Sequence, residues 1–310
     1  MPWTAADIPD LRGRVAIVTG ASGGVGYATA FELAKHGPTV ILASRNEATT
    51  KDAALRITAE AKGARTEARV LDLASLASVR DFAGAVLREH GAVDILVNNA
   101  GISGGPRRVT VDGFEAHFQV NYLAHYALTG LLLPALLARP NARVISISSD
   151  VASRGRIDFE DLQCERDYYL VKAYAQSKLA NLLFAFELHR RLHHTTISSY
   201  AAHPGVATSS LLVGRESDWG RPRRGLEHVL RFVQLLLAQP ASMGALSALF
   251  QATSSDARPD QYIGPIGFIH GRGYPGPVKI PDNAKDSDAA QRLWNISADL
   301  SGVSFSVART

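Results

Sequence analysis

The sequence predicts an α/β fold, a single doubly wound parallel sheet with helices on both faces. Short runs of β-branched and aliphatic residues alternate with stretches of helical periodicity along most of the chain. A glycine-rich turn follows the first such run, and small polar residues stand where later runs end. Alternating strands and helices of this kind form a parallel sheet, and we expect seven strands in the spatial order 3-2-1-4-5-6-7.

The predicted strands are short and apolar, as is typical of strands covered by helices on both faces. They comprise residues 14–19, 39–44, 68–73, 93–97, 142–149, 196–202 and 262–268. Helices are predicted at residues 27–36, 48–62, 75–90, 113–137 (one long helix or two), 173–184, 226–238, 241–252 and 289–294. We expect one domain over residues 1–310, with a core at about 12–270 and a C-terminal extension at about 271–310.

Composition and charge exclude several classes of protein. Hydrophobic residues make up 46% of the chain and charged residues 20%, which is ordinary for a globular protein with a large core. The net charge of +4 arises from scattered basic residues, so no binding of nucleic acid is expected. The longest apolar run, residues 131–138, is far too short to span a membrane.

The single cysteine, Cys164, allows neither an internal disulfide nor a cysteine-based zinc site. It fits a reducing compartment, and we expect a cytoplasmic protein without a metal site. Residues 1–11 contain Asp7 and Asp10 and lack the basic start and apolar run of a secretory signal peptide.

The turn after the first strand, residues 20–26, is predicted to bind a pyrophosphate. Gly20 permits a tight turn, Gly24 lets the backbone approach the phosphates, and Gly26 lets the helix pack close to the strand. Backbone N–H groups and the helix dipole then hold the anion. The spacing is Gly-x-x-x-Gly-x-Gly rather than the commoner Gly-x-Gly-x-x-Gly, and the alternative is that these glycines serve only the turn.

The end of the second strand favours NADP(H) over NAD(H). A site that prefers NAD carries a carboxylate at this point for the ribose hydroxyls, whereas this chain has Ser44-Arg45-Asn46. The planar guanidinium of Arg45 can pair with a 2′-phosphate, although an arginine in a solvent-exposed loop would look the same. Asp72, at the end of the third predicted strand, is placed to meet an adenine edge.

A further set of polar residues is predicted to carry acid–base chemistry. Tyr174 and Lys178 lie one helical turn apart, and an ammonium near a phenol favours the phenolate. The same spacing also arises in pairs that are simply solvated. Ser149 ends the fifth strand, where an open parallel sheet places its site. Asn121 lies among apolar residues and is either a packed polar residue or part of a proton relay.

In this ordered frame the chain resembles the short-chain dehydrogenase/reductase family over about residues 12–270, with the Rossmann-type fold of that family. The resemblance rests on Thr19-Gly20-x-x-x-Gly24-x-Gly26, Asn98-Asn99-Ala100-Gly101, Asn121, Ser149, Tyr174-x-x-x-Lys178 and Pro204-Gly205. Within the family the chain is most similar to the retinol-dehydrogenase-like and WW-domain-oxidoreductase-like group. The narrower similarity rests on Ser44-Arg45-Asn46, residues 120–125, residues 173–181 and His203-Pro204-Gly205.

The resemblance implies a role for each residue of the predicted site. It implies that Tyr174 exchanges a proton with the substrate oxygen and that Lys178 lowers the phenol pKa and binds the nicotinamide ribose. Ser149 is implied to hold the substrate oxygen, and Asn121 to anchor a water that connects Lys178 to solvent. The implied cofactor contacts are Thr19, Gly20, Ser22, Gly23, Gly24, Val25, Gly26, Arg45, Asp72, Leu73, Asn99, Ala100, Gly101, Tyr174, Lys178, Pro204, Gly205, Ala207 and Ser209.

Two features depart from the family's pattern. The family usually has a branched residue and a threonine where this chain has Ala207 and Ser209. Serine keeps the hydroxyl for the diphosphate, whereas alanine packs less tightly on a nicotinamide. The N-terminal lead and the C-terminal extension are longer than a minimal member needs, and no role is predicted for either.

Residues 209–240 are predicted to form a mobile lid over the substrate. Their large apolar residues favour a lipophilic substrate, but the same residues would suit the core or a subunit contact. They are Leu211, Leu212, Val213, Trp219, Leu230, Phe232, Val233, Leu235, Leu236 and Leu237.

The predicted function is NADP(H)-dependent interconversion of a carbonyl and an alcohol on a lipophilic small molecule, with Tyr174 as acid or base. Two alternatives remain open, an NAD-linked alcohol dehydrogenase and a cofactor-binding regulatory protein without turnover. The complete set of catalytic residues argues against the second. The resemblance implies homodimers or tetramers through the helices of Asn121 and Tyr174, although monomers occur in the favoured group.

Overall fold

The computed structural model describes residues 1–205, 239–267 and 271–305 of the chain. The predicted lid, residues 209–240, lies outside these ranges except for Gln239 and Pro240, as do the predicted helix at 226–238 and the residues Ala207 and Ser209. Strands and helices alternate in the order in which the chain runs. The strands are β1 (Val15–Thr19), β2 (Thr39–Ser44), β3 (Arg65–Val70), β4 (Ile95–Asn98), β5 (Arg143–Ile147), β6 (Ser198–Ala202), β7 (Tyr262–Pro265) and β8 (Pro275–Val278).

The helices cover both faces of the sheet, and their contacts form two apolar layers. They are α1 (Gly24–Lys35), α2 (Glu47–Glu60), α3 (Leu76–His90), α4 (Ala116–Phe118), α5 (Ala124–Leu131), α6 (Leu133–Leu137), α7 (Leu170–Arg191), α8 (Ala241–Thr253) and α9 (Ser287–Ser301). None of the helices in the described ranges combines the length and the apolar character that crossing a bilayer requires.

The described strands form one sheet in the order β3-β2-β1-β4-β5-β6-β7-β8. The first seven strands are parallel and follow the predicted order. The prediction of seven strands needs one correction, because β8 pairs antiparallel with β7 and adds an eighth. Its sequence, Pro-Gly-Pro-Val, does not predict a strand, since proline cannot donate to a ladder and is tolerated only at an edge such as this one.

The third strand lies three residues before its predicted position. The prediction followed the apolar residues Leu71 and Leu73, whereas β3 ends at Val70. This strand forms the other edge of the sheet and is partly exposed along its length, so it has no continuous apolar run. Asp72 therefore lies in the loop after β3, where its Oδ1 accepts a hydrogen bond from Ala74 N at 3.0 Å.

The N-terminal lead and the C-terminal helix both pack on the core. In the N-terminal lead, the Trp3 ring meets the edge of Phe250 on α8 at 5.5 Å, and Leu11 is 2% exposed. The C-terminal helix is much longer than the predicted 289–294, because it runs from Ser287 to Ser301. Asp286 caps its start and Gly302, in the left-handed conformation, ends it.

Candidate active site

A cleft of about 970 Å³ opens at the carboxyl ends of β1, β4 and β5. It brings together most residues of the predicted site. Those that line it are Gly20, Ser22, Gly23, Gly24, Val25, Gly26, Arg45, Asp72, Leu73, Asn99, Ala100, Gly101, Ser149, Tyr174, Lys178, Pro204 and Gly205. Thr19 and Asn121 are different, because both are fully buried and lie behind the wall of the cleft.

The glycine turn leaves main-chain donors free at one end of this cleft. Helix α1 begins at Gly24, three residues earlier than predicted, and its N-cap Gly23 has no capping side chain. A Cβ at Gly26 would lie 2.4 Å from Gly20 O and 2.5 Å from Asn99 Nδ2, so the position requires glycine. Uncapped N–H groups at a helix N-terminus fit a pyrophosphate.

A buried hydrogen-bond network supports this turn from behind. The Thr19 hydroxyl accepts from Asn99 N and Ala100 N, each at 2.9 Å, and lies 2.9 Å from His125 Nε2. His125 Nδ1 lies 3.0 Å from the main-chain oxygen of Asn121. Because a carbonyl only accepts, Nδ1 carries the proton, and Thr19 donates to Nε2. Burial lowers the pKa of His125 to about 4, which keeps the imidazole neutral.

The end of β2 has the features expected from the sequence. Arg45 is exposed and lines the cleft, with no carboxylate between Ser44 and Asn46. The Ser44 hydroxyl accepts from Ser22 N at 3.2 Å, which ties this strand end to the glycine turn. Asn46 caps α2 by accepting from Thr49 N at 3.0 Å. A guanidinium therefore stands where a ribose phosphate would lie if the turn held a dinucleotide.

Tyr174 and Ser149 face each other in the cleft. Tyr174 lies in the first turns of α7, and Ser149 caps the 3-10 turn Asp150–Arg154 that follows β5. Burial raises the pKa of Tyr174, and a hydrogen bond with the Ser149 side chain opposes that rise. The two hydroxyls are thus close enough to bind one substrate oxygen together.

Lys178 lies one turn further along α7 and is 5% exposed. Its Nζ donates to Ile147 O at 3.1 Å and lies 5.8 Å from the centroid of the Tyr174 ring. Burial lowers the pKa of Lys178 to about 8. Gly101 covers this amine, because a Cβ at Gly101 would lie 3.4 Å from Nζ.

Asn121 lies in a π-helical turn, Gln119–Leu123, that interrupts the long helix predicted over 113–137. Its Oδ1 accepts from Ile102 N at 2.7 Å, and its Nδ2 donates to Ile102 O at 3.0 Å and to Ser177 Oγ at 2.9 Å. The side chain therefore ties the segment after β4 to α7. Turns of this kind are frequent at functional sites. The water relay through Asn121 stays a prediction.

A buried acid–histidine pair lies beside Tyr174 and was not predicted from the sequence. His117 Nδ1 lies 2.9 Å from Glu115 Oε1, and the His117 ring meets the Tyr174 ring edge-on with centroids 6.3 Å apart. Burial raises the pKa of Glu115, but hydrogen bonds from His117 and from Phe118 N outweigh it and hold the pKa below its usual range. The available signal was two ionisable residues between Phe114 and Phe118.

Comparisons with known proteins agree with this geometry. The family model described as short chain dehydrogenase matches residues 14–219. Retinol dehydrogenase 13 of Mus musculus is 41% identical over an alignment of 301 residues, which covers 95% of this chain and 86% of the mouse protein.

Two solved structures are also similar. A crystal structure of an uncharacterized protein from Mycobacterium Paratuberculosis has a TM-score of 0.80 and 38% identity, covering 99% of this chain and 100% of that one. A short chain dehydrogenase from Burkholderia cenocepacia, in complex with NADP, has a TM-score of 0.62 and 26% identity, covering 80% of this chain and 95% of that one.

Proposed function

Because the chain belongs to the short-chain dehydrogenase/reductase family, and there to the retinol-dehydrogenase-like group, we propose an NADP(H)-dependent oxidoreductase acting on a lipophilic carbonyl/alcohol pair. The observation that carries the proposal is the meeting of Tyr174, Ser149 and Lys178 in one cleft with the glycine turn. The family as a whole uses a nicotinamide cofactor, and the choice of NADP(H) over NAD(H) is part of the proposal.

The chain's own residues bind and orient the cofactor, which when bound supplies the hydride. Main-chain N–H groups of the glycine turn, residues 20–26, hold the pyrophosphate with the dipole of α1. Arg45 pairs with the 2′-phosphate at the end of β2, and Asp72 lies at the adenine end. Pro204 and Gly205 line the cleft after β6, and Gly205 N donates to His203 Nδ1 at 3.2 Å.

Proton transfer is the task of Tyr174. In reduction the phenol gives its proton to the carbonyl oxygen while Ser149 donates a hydrogen bond to the same oxygen. Burial keeps the phenol protonated until the substrate needs that proton. The Lys178 ammonium then stabilises the phenolate, and its pKa of about 8 lets it release and regain a proton near neutral pH.

A lipophilic substrate is supported by the part of the cleft next to Tyr174. Ile102, Val109, Ala116 and Val120 line it, and Val109 is 53% exposed. The mouse relative is named a retinol dehydrogenase, and retinol is an alcohol that is mostly hydrocarbon. Apolar walls of this kind favour ligands that bury hydrocarbon surface.

The first test replaces Tyr174 by phenylalanine. We expect Tyr174→Phe to lose turnover by about a hundredfold or more, the range that acid–base groups contribute, with NADPH affinity within a few-fold. NADPH oxidation against aldehydes, ketones, steroids and quinones measures turnover, and fluorescence titration measures affinity. Tyr169→Phe is the matched control, because Tyr169 is 64% exposed at the start of the same helix.

Retained turnover in Tyr174→Phe would refute the acid–base assignment. Tight NADPH binding by the wild type with no turnover across the whole panel would favour the cofactor-binding regulatory protein instead.

The second test concerns the choice of cofactor. Arg45→Asp removes the guanidinium and places a carboxylate beside the ribose, so NADPH should bind more weakly, by roughly ten- to a hundredfold, because charged hydrogen bonds are lost. NADH affinity should hold or improve. If the wild type binds NADH better than NADPH, the assignment of Arg45 is wrong.

A further inference from the structure

In the C-terminal extension, the side chain of Asn283 contacts the turn that follows Ser149. We call Asn121, Ser149, Tyr174 and Lys178 together the catalytic corner. Asn283 Nδ2 donates to Ala152 O at 2.9 Å and to Gly155 O at 2.7 Å. Both acceptors are carbonyls, so the amide nitrogen, and not its oxygen, must face them. They lie in or just after the 3-10 turn Asp150–Arg154, which Ser149 caps. One amide therefore spans the turn that carries the Ser149 hydroxyl.

The opposite side of this turn rests directly on α7. A Cβ at Gly155 would lie 2.5 Å from Ala175 O and 3.0 Å from Leu179 Cβ. Ala175 is the residue after Tyr174. The turn is thus held between the Asn283 amide and the backbone next to Tyr174.

Helix α9, which follows Asn283 in the C-terminal extension, is itself packed on α7. Trp294 of α9 stacks on Phe184 of α7 with centroids 5.8 Å apart, and the Arg191 guanidinium lies 4.5 Å from the Trp294 ring. The Ser297 and Tyr122 hydroxyls are 2.7 Å apart, which joins α9 to the π-helical turn. The extension therefore contacts every element that carries a residue of the catalytic corner.

From these contacts we propose that Asn283 is a positioning residue, which holds the Ser149 turn in register with Tyr174. This inference rests on the proposed function, since it assumes that the two hydroxyls bind one substrate oxygen. Displacing a reacting group by about 1 Å can cost up to a hundredfold in rate. Loss of the amide should therefore lower kcat, while cofactor affinity, which depends on the glycine turn, stays unchanged.

The test uses Asn283→Asp, which keeps the shape but turns an acceptor towards two carbonyls. We expect kcat to fall about tenfold or more, with the NADPH Kd within about twofold of the wild type. Asn283→Ala removes the donors without adding an acceptor, and it is used if the aspartate variant does not fold. Asn295→Asp is the matched control, because it makes the same change on the exposed face of α9 and should leave kcat unchanged.

Stability is separated from positioning by Ser297→Ala. This variant removes the hydroxyl of α9 that faces Tyr122 in the π-helical turn, so Tm should fall while kcat holds. If Ser297→Ala lowers kcat as much as Asn283→Ala does for the same fall in Tm, Asn283 is only structural and the proposal is overturned.

A readout without substrate distinguishes this inference from the proposed function. Backbone amide exchange in residues 150–155 should be faster in Asn283→Asp than in the wild type or Asn295→Asp. Faster exchange supports the proposal that Asn283 holds the Ser149 turn in place, even if the wild type reduces no carbonyl in the panel. Wild-type exchange in this segment, or a wild-type kcat in both Asn283 variants, would overturn the proposal.

Discussion

The glycine turn and the catalytic corner line the same cleft but are built in different ways. The turn, residues 20–26, offers main-chain N–H groups and depends on the absence of side-chain atoms at Gly20 and Gly26. The corner, Asn121, Ser149, Tyr174 and Lys178, offers side-chain groups, and burial shifts the pKa of two of them, Tyr174 and Lys178. The geometry of the turn therefore depends on free space around its backbone, and the chemistry of the corner depends on removal of its side chains from water.

This difference explains how each region tolerates change. Every residue except proline has the same backbone donor, so the turn fails when a Cβ collides with its neighbours or when a side chain is forced to a positive φ, as at Gly20 and Gly24. The corner keeps its shape under many conservative changes, but its chemistry is lost when one buried group changes charge or hydrogen bonding. His125 connects the two regions, because it joins Thr19 to the π-helical turn of Asn121.

The largest effect should come from Gly26→Ala. The added Cβ would lie 2.4 Å from Gly20 O, and the turn must open to relieve the contact. We expect cofactor affinity to fall by about a hundredfold and stability by about 1–3 kcal/mol, as for other overpacked sites. Fluorescence titration and thermal unfolding measure the two quantities. Gly104→Ala is the control, since a Cβ there meets nothing within 4 Å.

If Gly26→Ala binds the cofactor with wild-type affinity, the glycine turn does not depend on free space at Gly26. The contrast drawn here between the turn and the corner would then be wrong.

The next effect concerns the cost of burying Lys178. Its pKa of about 8 in the fold lies below its ordinary value of 10.5, so the buried ammonium destabilises the protein at pH 7. Lys178→Met removes that cost, and we expect the apoprotein to gain up to about 3 kcal/mol of unfolding free energy at pH 7. The gain should shrink between about pH 8 and pH 10.5 and vanish above.

Urea unfolding of the wild type and of Lys178→Met at pH 7 and pH 10 checks this sign. Lys62→Met is the control at an exposed position and should change stability little at either pH. A Lys178→Met variant that is less stable than the wild type at pH 7 would contradict the desolvation argument. Turnover should be lost in any case, because the phenolate loses its cation.

The smallest effect should come from the link between the regions. His125→Phe removes the imidazole N–H that donates to Asn121 O and leaves the Thr19 hydroxyl with Val97 O, at 3.3 Å, as its acceptor. We expect a loss of about 1–2 kcal/mol in stability and a fall of several-fold in cofactor affinity. Calorimetry and NADPH titration measure both, with the exposed His194→Phe as control. Unchanged cofactor affinity would show that the two regions are independent.

Local patterns in the sequence were sufficient for the parallel part of the sheet. Doubly buried strands such as β2 are continuous apolar runs, and its predicted bounds agree with the structure. The two edge strands were predicted less well. The predicted bounds of β3 are three residues too late, because this strand is partly exposed along its length, and β8 was not predicted, because it is rich in proline. The short helix predicted at 289–294 covers less than half of α9, which is capped by Asp286 and packs on α7 through Trp294.

The candidate site also contains residues that the sequence predicted and residues that it did not. Motif spacing identified the glycine turn and the Tyr174–Lys178 pair, and the strand ends of a parallel sheet predicted that they would meet in one cleft. Glu115, His117 and Asn283 belong to no such spacing. Glu115 pairs with His117 two residues away, His117 meets the ring of Tyr174, and Asn283 donates to backbone carbonyls, and no sequence pattern records those contacts.

By itself, the sequence determined the family, the order of the parallel strands and most of the residues that line the cleft, because each depends on short-range periodicity or on the size of single residues. Only the tertiary structure decided the acidity of Tyr174 and Lys178, the tautomer of His125 and the clamp on the Ser149 turn. These properties arise from exclusion of water and from partners brought together by folding, and neither exists before the chain is packed.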